Sequence, residues 1–212
     1  MDLRTATTIV NFKTPALTID CIKSLELAGA LKCMDTHVID NNSMDDSVRE
    51  IMSHIKDMEL EASVSLYENP INSGFSAGNN IGIKITSSEY VLLLNSDTLV
   101  RPGAIELLVK TLDDNPKIGM ASPRLEWPDE TPQESCFRFH RPLNELIRSA
   151  ASGPITKLFK RYEVPLAVSD RVTYPEWTSF ACVLIRRRVF EDIGFLDQEF
   201  FMYFEDVDFC KR

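Results

Sequence analysis

The feature that most constrains the fold of this chain is a regular alternation of apolar runs and helical patterns along residues 1–121. The apolar run at 90–94 is uninterrupted, which is typical of a central parallel strand covered on both faces. Strands are predicted at 7–12, 36–40, 63–67, 90–94 and 118–121, and helices at 15–29, 47–56, 74–86 and 103–115. The alternation predicts an α/β fold with right-handed crossovers and a mostly parallel central sheet.

The regular alternation stops at Pro123, and residues 123–175 contain seven of the eleven prolines. Phenylalanines such as Phe137 and Phe159 make this region too apolar for a free linker. We interpret it as a lobe of irregular strands and short helices inserted in the fold. A strand is then predicted at 178–185 and a helix at 187–193, and the acidic segment at the end begins another helix.

Composition excludes several classes of protein. A net charge of −9, from 23 basic and 32 acidic residues, argues against a nucleic-acid-binding surface but leaves room for a small anionic ligand. The five cysteines are odd in number and include no CxxC pair, so a disulfide framework or zinc site is poorly supported. No apolar run is long enough to span a bilayer. We therefore expect a cytoplasmic protein whose membrane contact, at the inner face, is peripheral.

The first candidate site is Asn95-Ser96-Asp97, directly after the apolar run at 90–94. Ligands of open parallel sheets bind beyond the carboxyl ends of the strands. A carboxylate there can hold a hard divalent cation, which prefers oxygen ligands. The alternative is that Asp97 only starts a turn or caps the following helix.

The second candidate is Asp40-Asn41-Asn42-Ser43, at the end of the second predicted strand. Asp40 could accept a hydrogen bond from the base or ribose of a nucleotide. The alternative is a turn closed by an aspartate or asparagine side chain, for which this composition is well suited.

The third candidate is the segment 72–80, with sequence NSGFSAGNN. Small residues let a backbone approach a ligand closely, and a helix N-terminus favours anions. The alternative is a loop-to-helix turn with tight helix packing. The glycines Gly74, Gly78 and Gly82 lie four residues apart, so this is not the GxGxxG phosphate loop of dinucleotide-binding proteins.

The fourth candidate is Glu205-Asp206-Val207-Asp208, which follows the aromatic run 200–204. Mutual repulsion and aromatic neighbours tend to raise the pKa of one carboxyl group toward values that suit a general base. The alternative is that acidic residues stabilise a helix N-terminus, where each contributes about 0.3–1 kcal/mol.

These four stretches, in this order, resemble the family 2 glycosyltransferases, especially their rhamnosyltransferase-like bacterial branch. The resemblance covers nearly the whole chain through the segments TIVNFKTP, VIDNNSMDDS, NSGFSAGNNIGI, YVLLLNSDTLV and ACVLIRRRVFEDIGFLDQEFFMYFEDVDFCKR. It implies a Rossmann-like GT-A fold with an irregular acceptor-side lobe. It also implies a nucleoside diphosphate sugar donor, Mg²⁺ or Mn²⁺, and inversion at the anomeric carbon.

The resemblance also assigns roles to residues. Asp97 matches the metal carboxylate, and Asp206 matches the general base with Glu205 as its acidic neighbour. Asn95 stands where the family's metal motif has its first acidic residue. The remaining matches are on the donor side: Val10, Asn11, Asp40, Asn42, Asn72, Gly74, Asn95 and Ser96.

The resemblance further implies a division of labour within one domain. Residues 1–122 are expected to bind the nucleotide sugar, and 123–212 to supply the acceptor side and the base. Asp97 and Asp206 are expected to face a shared cleft. A further histidine metal ligand is expected downstream of Arg212, in a natural protein longer than this chain.

The implied partners are a dTDP- or UDP-linked sugar, with rhamnose suggested by the branch, and a saccharide or lipid-linked acceptor. The expected process is the synthesis of a cell-surface polysaccharide. Two alternatives remain at this point: a non-catalytic domain that binds sugar nucleotides, and a nucleotidyltransferase. The second alternative would need a glycine-rich, basic signature after the first strand, where residues 11–15 read NFKTP.

Overall fold

The computed structural model describes residues 4–141 and 164–212. These residues form two compact units. The first unit comprises residues 4–123 and 180–205, and the second comprises 124–141, 164–179 and 206–212.

The first unit is built on a six-stranded sheet. Its strands are β1 (Thr5–Asn11), β2 (Met34–Asp40), β3 (Val64–Glu68), β4 (Tyr90–Asn95), β5 (Met120–Ala121) and β8 (Cys182–Arg186). Their order across the sheet is β3-β2-β1-β4-β8-β5. The pairs β3–β2, β2–β1 and β1–β4 are parallel, while β8 runs antiparallel to both β4 and β5. The predicted α/β fold with a mostly parallel sheet is confirmed.

Helices connect the strands of this unit. They are α1 (Pro15–Leu27), α2 (Ser47–Asp57), α3 (Gly74–Ile85), α4 (Ala104–Asp114) and α5 (Arg187–Ile193), with a short 3₁₀ turn at Ala30–Lys32. Each of the predicted helices is present. Thr14 is the residue before α1, but its hydroxyl makes no capping hydrogen bond to the helix and bonds to the Asn11 side chain instead.

The core of this unit lies around β1 and β4. Residues 90–94 of β4 are all at most 2% exposed. Because successive side chains of a strand point to opposite faces, both faces of the sheet are covered at β4. This agrees with the apolar run that predicted a central strand.

The second unit contains a small antiparallel pair, β6 (Cys136–Phe137) with β7 (Trp177–Thr178). The rings of Phe137 and Trp177 stack with their centroids 4.1 Å apart. Helix α6 (Glu205–Lys211) begins at the last residue of the first unit and continues in the second. Much of the lobe predicted over 123–175 lies outside the described residues, because 142–163 are not among them.

Two strand predictions need correction. The single strand predicted at 178–185 is two strands in different sheets, because the chain leaves β7 at Thr178 and enters β8 only at Cys182. The strand predicted at 118–121 is shortened to two residues. The Ile118 carbonyl accepts a hydrogen bond from Arg186 Nε at 2.8 Å, so it pairs with a side chain and not with a neighbouring strand.

Candidate active site

Three of the predicted site residues end three neighbouring parallel strands. Asn11, Asp40 and Asn95 are the last residues of β1, β2 and β4. Asn11 is in register with Asp40, and Val10 with Asn95. The fold therefore brings the first two candidate stretches, together with Asn11, to the carboxyl end of the sheet, which is where open α/β sheets bind ligands.

Asn11 and Asp40 form a buried polar network with Ser43. Asn11 Nδ2 donates to one Asp40 carboxylate oxygen at 2.7 Å and to Ser43 Oγ at 3.2 Å. Ser43 donates to the Asp40 carboxylate through its hydroxyl at 2.6 Å and its backbone N–H at 3.0 Å. Asn11 Oδ1 accepts hydrogen bonds from the hydroxyls of Thr18 and Thr14. Asn11 and Asp40 are at most 2% exposed, so the network is closed from solvent.

This network decides what Asp40 can offer a nucleotide. A carboxylate has about four lone-pair positions, and three are occupied here by Asn11 and Ser43. The bond from Ser43 N–H is the turn contact that the alternative interpretation of this stretch anticipated. Ser43 lies within the second candidate stretch but was given no site role, although its position three residues after an aspartate could have suggested one. Beside it, Asn42 is half-buried with a left-handed backbone, at φ 61°.

The stretch after β4 differs because two of its side-chain groups, Asn95 Oδ1 and the Asp97 carboxylate, have no partner among the described residues. The amide oxygen Oδ1 of Asn95 is buried and accepts no hydrogen bond within the described residues. Asp97 is exposed, and no described residue gives its carboxylate a hydrogen-bond or ion-pair partner. Thr98 N–H closes a turn onto the Asn95 carbonyl at 3.1 Å, while the Ser96 hydroxyl lies 3.5 Å from that of Thr14.

The turn interpretation of this stretch is therefore correct for the backbone, but the capping interpretation is not. Helix α4 has Gly103 as its N-cap and no side-chain capping bond, so Asp97 is not used there. An exposed carboxylate beside an unpaired amide oxygen is an arrangement that a hard cation can use.

The third stretch comprises a turn at residues 72–73 and the first turns of α3, and Asn41 fastens this turn to the end of β2. Asn41 Nδ2 donates to Asn72 Oδ1 at 2.8 Å and to the Gly74 carbonyl at 3.1 Å. Asn69 Nδ2 donates to Asn41 Oδ1 at 2.8 Å. Asn72 Oδ1 also accepts from the Gly74 N–H at 3.1 Å. Asn41 and Asn69 were missed as site residues because their partners lie about 30 positions away in sequence, beyond the reach of any local pattern.

The glycines of this stretch have packing reasons. A Cβ on Gly78 would lie 3.0 Å from a methyl group of Val10, and one on Gly82 would overlap the Thr8 hydroxyl. Gly74 has φ 83°, and a Cβ there would overlap the carbonyl oxygen of Phe201. The close packing of α3 on β1 therefore follows from the four-residue glycine spacing. The predicted donor-side role of Gly74 stays a prediction beside this packing role.

The acidic residues of the fourth stretch begin helix α6. Glu205 is 6% exposed and is the last residue of the first unit, and Asp206 belongs to the second unit. Burial raises the pKa of the half-buried Asp206 carboxyl above its ordinary value, and the hydrogen bond donated by Val207 N–H at 2.8 Å opposes that rise. A carboxylate made more basic by desolvation is suited to accept a proton.

Comparison with known proteins identifies the family of the chain. A sequence model described as "Glycosyl transferase family 2" matches residues 9–208. The chain belongs to glycosyltransferase family 2. The family predicted from the sequence is thereby confirmed.

Two curated relatives are similar to this chain in sequence. The "Low-salt glycan biosynthesis hexosyltransferase Agl10" of Haloferax volcanii is 28% identical over 213 residues, covering 96% of this chain and 59% of its own length. The "N-acetylglucosaminyl-diphospho-decaprenol L-rhamnosyltransferase" of Mycobacterium tuberculosis is 29% identical over 129 residues, covering 58% of this chain and 41% of its own. This glycosyltransferase chain therefore spans less than two thirds of the length of these relatives.

Solved structures confirm the GT-A fold. The mannosyltransferase PcManGT from Pyrobaculum calidifontis, in complex with GDP-Man and Mn²⁺, matches with a TM-score of 0.62 and 14% identity, covering 92% of this chain and 48% of that one. TarS 1-349 from S. aureus, in complex with UDP, matches with a TM-score of 0.58 and 12% identity, covering 98% and 54%. At these identities the likeness concerns the fold alone.

The residues after β4 fit the divalent cation that the family implies. In the part of the chain that the structure describes, no group of three or more His, Cys, Asp or Glu side chains could hold a metal by itself. A cation such as Mg²⁺ needs only one or two carboxylates when phosphate and water oxygens complete its shell. Asp97, with Asn95 Oδ1 beside it, meets that requirement.

No helix within residues 4–141 and 164–212 combines the length and the apolar character that crossing a bilayer requires.

Proposed function

We propose that this chain is the catalytic domain of an inverting glycosyltransferase that moves a sugar from a nucleoside diphosphate sugar to a saccharide or lipid-linked acceptor. Membership of family 2 supports the reaction class. The proposed donor is dTDP- or UDP-linked, and rhamnose as its sugar is supported by the rhamnosyltransferase among the relatives. The process is cell-surface polysaccharide synthesis, carried out by a cytoplasmic protein at the inner face of the membrane.

The observation that carries this proposal is the unpaired oxygen pair at the end of β4. Asn95 Oδ1 and the Asp97 carboxylate have no partner among the described residues, and they follow a central parallel strand. In the proposal, Asp97 holds Mg²⁺ or Mn²⁺ together with the donor's diphosphate. When bound, this cation neutralises the charge that develops on the leaving diphosphate, an effect of several kcal/mol.

The donor nucleotide is placed beside this pair by the proposal. The base lies at the ends of β1 and β2, against Val10 and within reach of the lone-pair position that remains on Asp40. The residues proposed to contact the donor are Val10, Asn11, Asp40, Asn42, Asn72, Gly74, Asn95 and Ser96. Residues 1–122 form the donor half of the domain, and 123–212 form the acceptor and catalytic-base half.

Asp206 is proposed as the general base, with Glu205 as its acidic neighbour. It accepts the proton from the acceptor hydroxyl as that oxygen forms a bond to the anomeric carbon. The bond from this carbon to the diphosphate oxygen breaks, and its electron pair leaves with the diphosphate. Attack opposite the leaving group inverts the configuration. The raised pKa of Asp206 supports this role, because a stronger base takes the proton more readily.

Replacement of the proposed base has the largest expected effect. In the full natural protein, Asp206→Asn should lower the rate of sugar transfer by about 10²–10⁴ while the donor still binds, because a positioned base contributes that factor. A transfer assay with dTDP- and UDP-sugars, with and without Mn²⁺, measures the rate. Asp192→Asn, an exposed carboxylate change on α5, is the matched control and should transfer at the wild-type rate.

Three outcomes separate the possibilities. Wild-type turnover by Asp206→Asn would remove the base assignment. A wild-type protein that binds the donor and never transfers its sugar would be a non-catalytic sugar-nucleotide-binding domain. A wild-type protein that binds no nucleoside diphosphate would refute the proposal as a whole.

A further inference from the structure

The aromatic segment before helix α6 is fastened to helix α3 at two points. Asn80, on α3, donates from Nδ2 to the Leu196 carbonyl at 2.8 Å and accepts from the Leu196 N–H at 3.1 Å. Five residues earlier in α3 and five residues later in the aromatic segment, the Phe75 N–H donates to the Phe201 carbonyl at 2.7 Å. Residues 196–201 therefore follow the first turns of α3, and α6 begins only a few residues later, at Glu205.

The second of these points depends on Gly74. Its backbone lies so close to Phe201 that any Cβ would overlap the Phe201 carbonyl oxygen. The φ of 83° at Gly74 is also one that side-chain-bearing residues rarely adopt. The position of the Gly74 turn therefore fixes where the carbonyl of Phe201 can lie.

Asn41 in turn fixes the Gly74 turn. Its amide donates to the Gly74 carbonyl and to Asn72 Oδ1, and its Oδ1 accepts from Asn69 Nδ2 and from the Ser73 N–H. The side chain thus uses both of its N–H donors and its oxygen at a position that is 2% exposed. Removing a buried donor leaves its partners unsatisfied and costs more than the hydrogen bond itself contributes.

The segment that is held in this way needs an external restraint. Tyr203 and Phe204 both have positive φ, at 70° and 69°, and their side chains are 72% and 61% exposed. Residues that carry a side chain are strained in this conformation and persist in it only where the surroundings impose it. Burial of their own rings supplies little of that restraint, so the backbone contact at Phe201 is an important source of it.

We propose that Asn41 is a positioning residue that holds the donor-side turn at 72–75 and the aromatic segment at 196–204 as one body. Its catalytic meaning rests on the proposed function, because the aromatic segment leads directly to Glu205 and Asp206. Asn41 needs no contact with substrate for this role. It joins the side of the site proposed for the donor to the chain that carries the proposed base.

Hydrogen–deuterium exchange of the full natural protein tests the physical part of this proposal. Asn41→Asp keeps the size of the side chain but cannot donate to Gly74 or Asn72. Exchange in the peptides covering 71–76 and 196–204 should rise together by about tenfold, since one lost buried hydrogen bond is worth about that factor. Peptides of β4 and α4 should exchange as in the wild type, which a general loss of stability would not allow.

A matched control exists at the other end of the sheet. Asn115 also donates its side-chain amide to a backbone carbonyl, that of Thr111 at 2.9 Å, but on the exposed surface. Asn115→Asp makes the same chemical change and should leave both peptides at their wild-type exchange rates. If Asn41→Asp does not fold, Asn41→Ser provides the same test, because its side chain is too short to reach Gly74.

The kinetic part of the test uses the same variants. Asn41→Asp should lower kcat for transfer, because the base is misplaced, and should also raise the donor KM, because Asn72 and Gly74 lose the same support. Faster exchange at 71–76 alone, with 196–204 unchanged, would overturn the proposal, as would unchanged exchange in both. If Asn41→Asp raises exchange in both peptides but the wild-type protein transfers no sugar, the positioning role stands and the proposed function is refuted.

Discussion

The two ends of strand β4 differ in whether their polar and charged side chains have partners. At the N-terminal end of β4, the Tyr90 hydroxyl donates to Asp113 at 2.6 Å and accepts from Arg186 at 3.0 Å. Arg4 makes a bidentate ion pair with Asp113 and another ion pair with Glu89. At the C-terminal end of the same strand, Asn95 Oδ1 and Asp97 have no partners among the described residues. The Tyr90 hydroxyl and the Asp113 carboxylate are thus paired at one end, while Asn95 Oδ1 and the Asp97 carboxylate are unpaired at the other within the described part of the chain.

We expect the paired cluster at the Tyr90 end of β4 to contribute to stability, and the unpaired groups at the Asn95 end to contribute to function. The Arg4–Asp113–Tyr90 cluster joins β4 and α4 to the residue that precedes β1. Natural proteins leave few buried polar groups unsatisfied, and the exceptions concentrate where a ligand completes them. The unpaired oxygens of Asn95 and Asp97 therefore support the proposal that a ligand binds at this end.

Asp97→Ala should have the largest effect of the changes that probe this comparison. Transfer should slow by about 10²–10³, because charge stabilisation by a cation is worth several kcal/mol. The free energy of unfolding should change by less than about 0.5 kcal/mol, since the carboxylate is exposed and unpaired. Transfer assays and urea unfolding measure the two quantities. A large loss of stability with transfer unchanged would reverse the comparison.

Asn11→Ala and Asn95→Ala form a matched pair within the C-terminal end. Asn11 is buried with four side-chain hydrogen bonds, and its loss leaves the Asp40 carboxylate short of a donor. Asn11→Ala should lower the free energy of unfolding by about 2–4 kcal/mol. Asn95→Ala removes an oxygen that has no partner and should cost less than about 1 kcal/mol. Equal losses in urea unfolding would contradict the distinction between paired and unpaired groups.

Tyr90→Phe tests the N-terminal end alone. Tyr90 is fully buried, and its hydroxyl joins Asp113 to Arg186. Removing it should lower the free energy of unfolding by about 1–3 kcal/mol and leave donor affinity unchanged. Tyr174→Phe, at a residue that is 79% exposed, is the control and should change neither quantity. Weaker donor binding in Tyr90→Phe would show that the two ends are not independent.

The pH dependence of stability sharpens the comparison further, with a smaller effect. Hydrogen bonds from Arg4 and then Tyr90 lower the pKa of Asp113 from 3.8 to about 2. A depressed carboxyl pKa stabilises the fold above the unfolded value, and this contribution is lost as pH falls through the folded one. The stability difference between wild type and Asp113→Asn should therefore be constant at neutral pH and shrink between about pH 4 and 2. A difference that stays constant down to pH 2 would mean that the pairing is absent.

Much of the fold could be predicted because its elements are locally encoded. The run at 90–94 and the helix beginning at Gly74 match β4 and α3 closely, since periodicity and glycine spacing are properties of a few neighbouring residues. The break between β7 and β8 could not be predicted in the same way. Phe180 at the break is buried and apolar, and Ser179 is the single turn-favouring residue there, so the local signal for a turn is weak.

The site divides along the same line. The ends of β1, β2 and β4 could be predicted as a polar edge because parallel strands end together. The hydrogen bonds of Asn41, and the contact of Gly74 with Phe201, join residues that are far apart in sequence. Contacts of this kind also decide how many hydrogen bonds a carboxylate receives, which is three at Asp40 and none from the described residues at Asp97.

Calorimetric titration of the full natural protein with UDP and dTDP, with and without Mn²⁺, tests the central claim most directly. The account predicts binding of at least one of the two that requires the metal in the wild type and is strongly weakened in Asp97→Ala. Binding that is equal with and without metal, and equal in the two proteins, would contradict the assignment of the C-terminal end of β4 as the donor site.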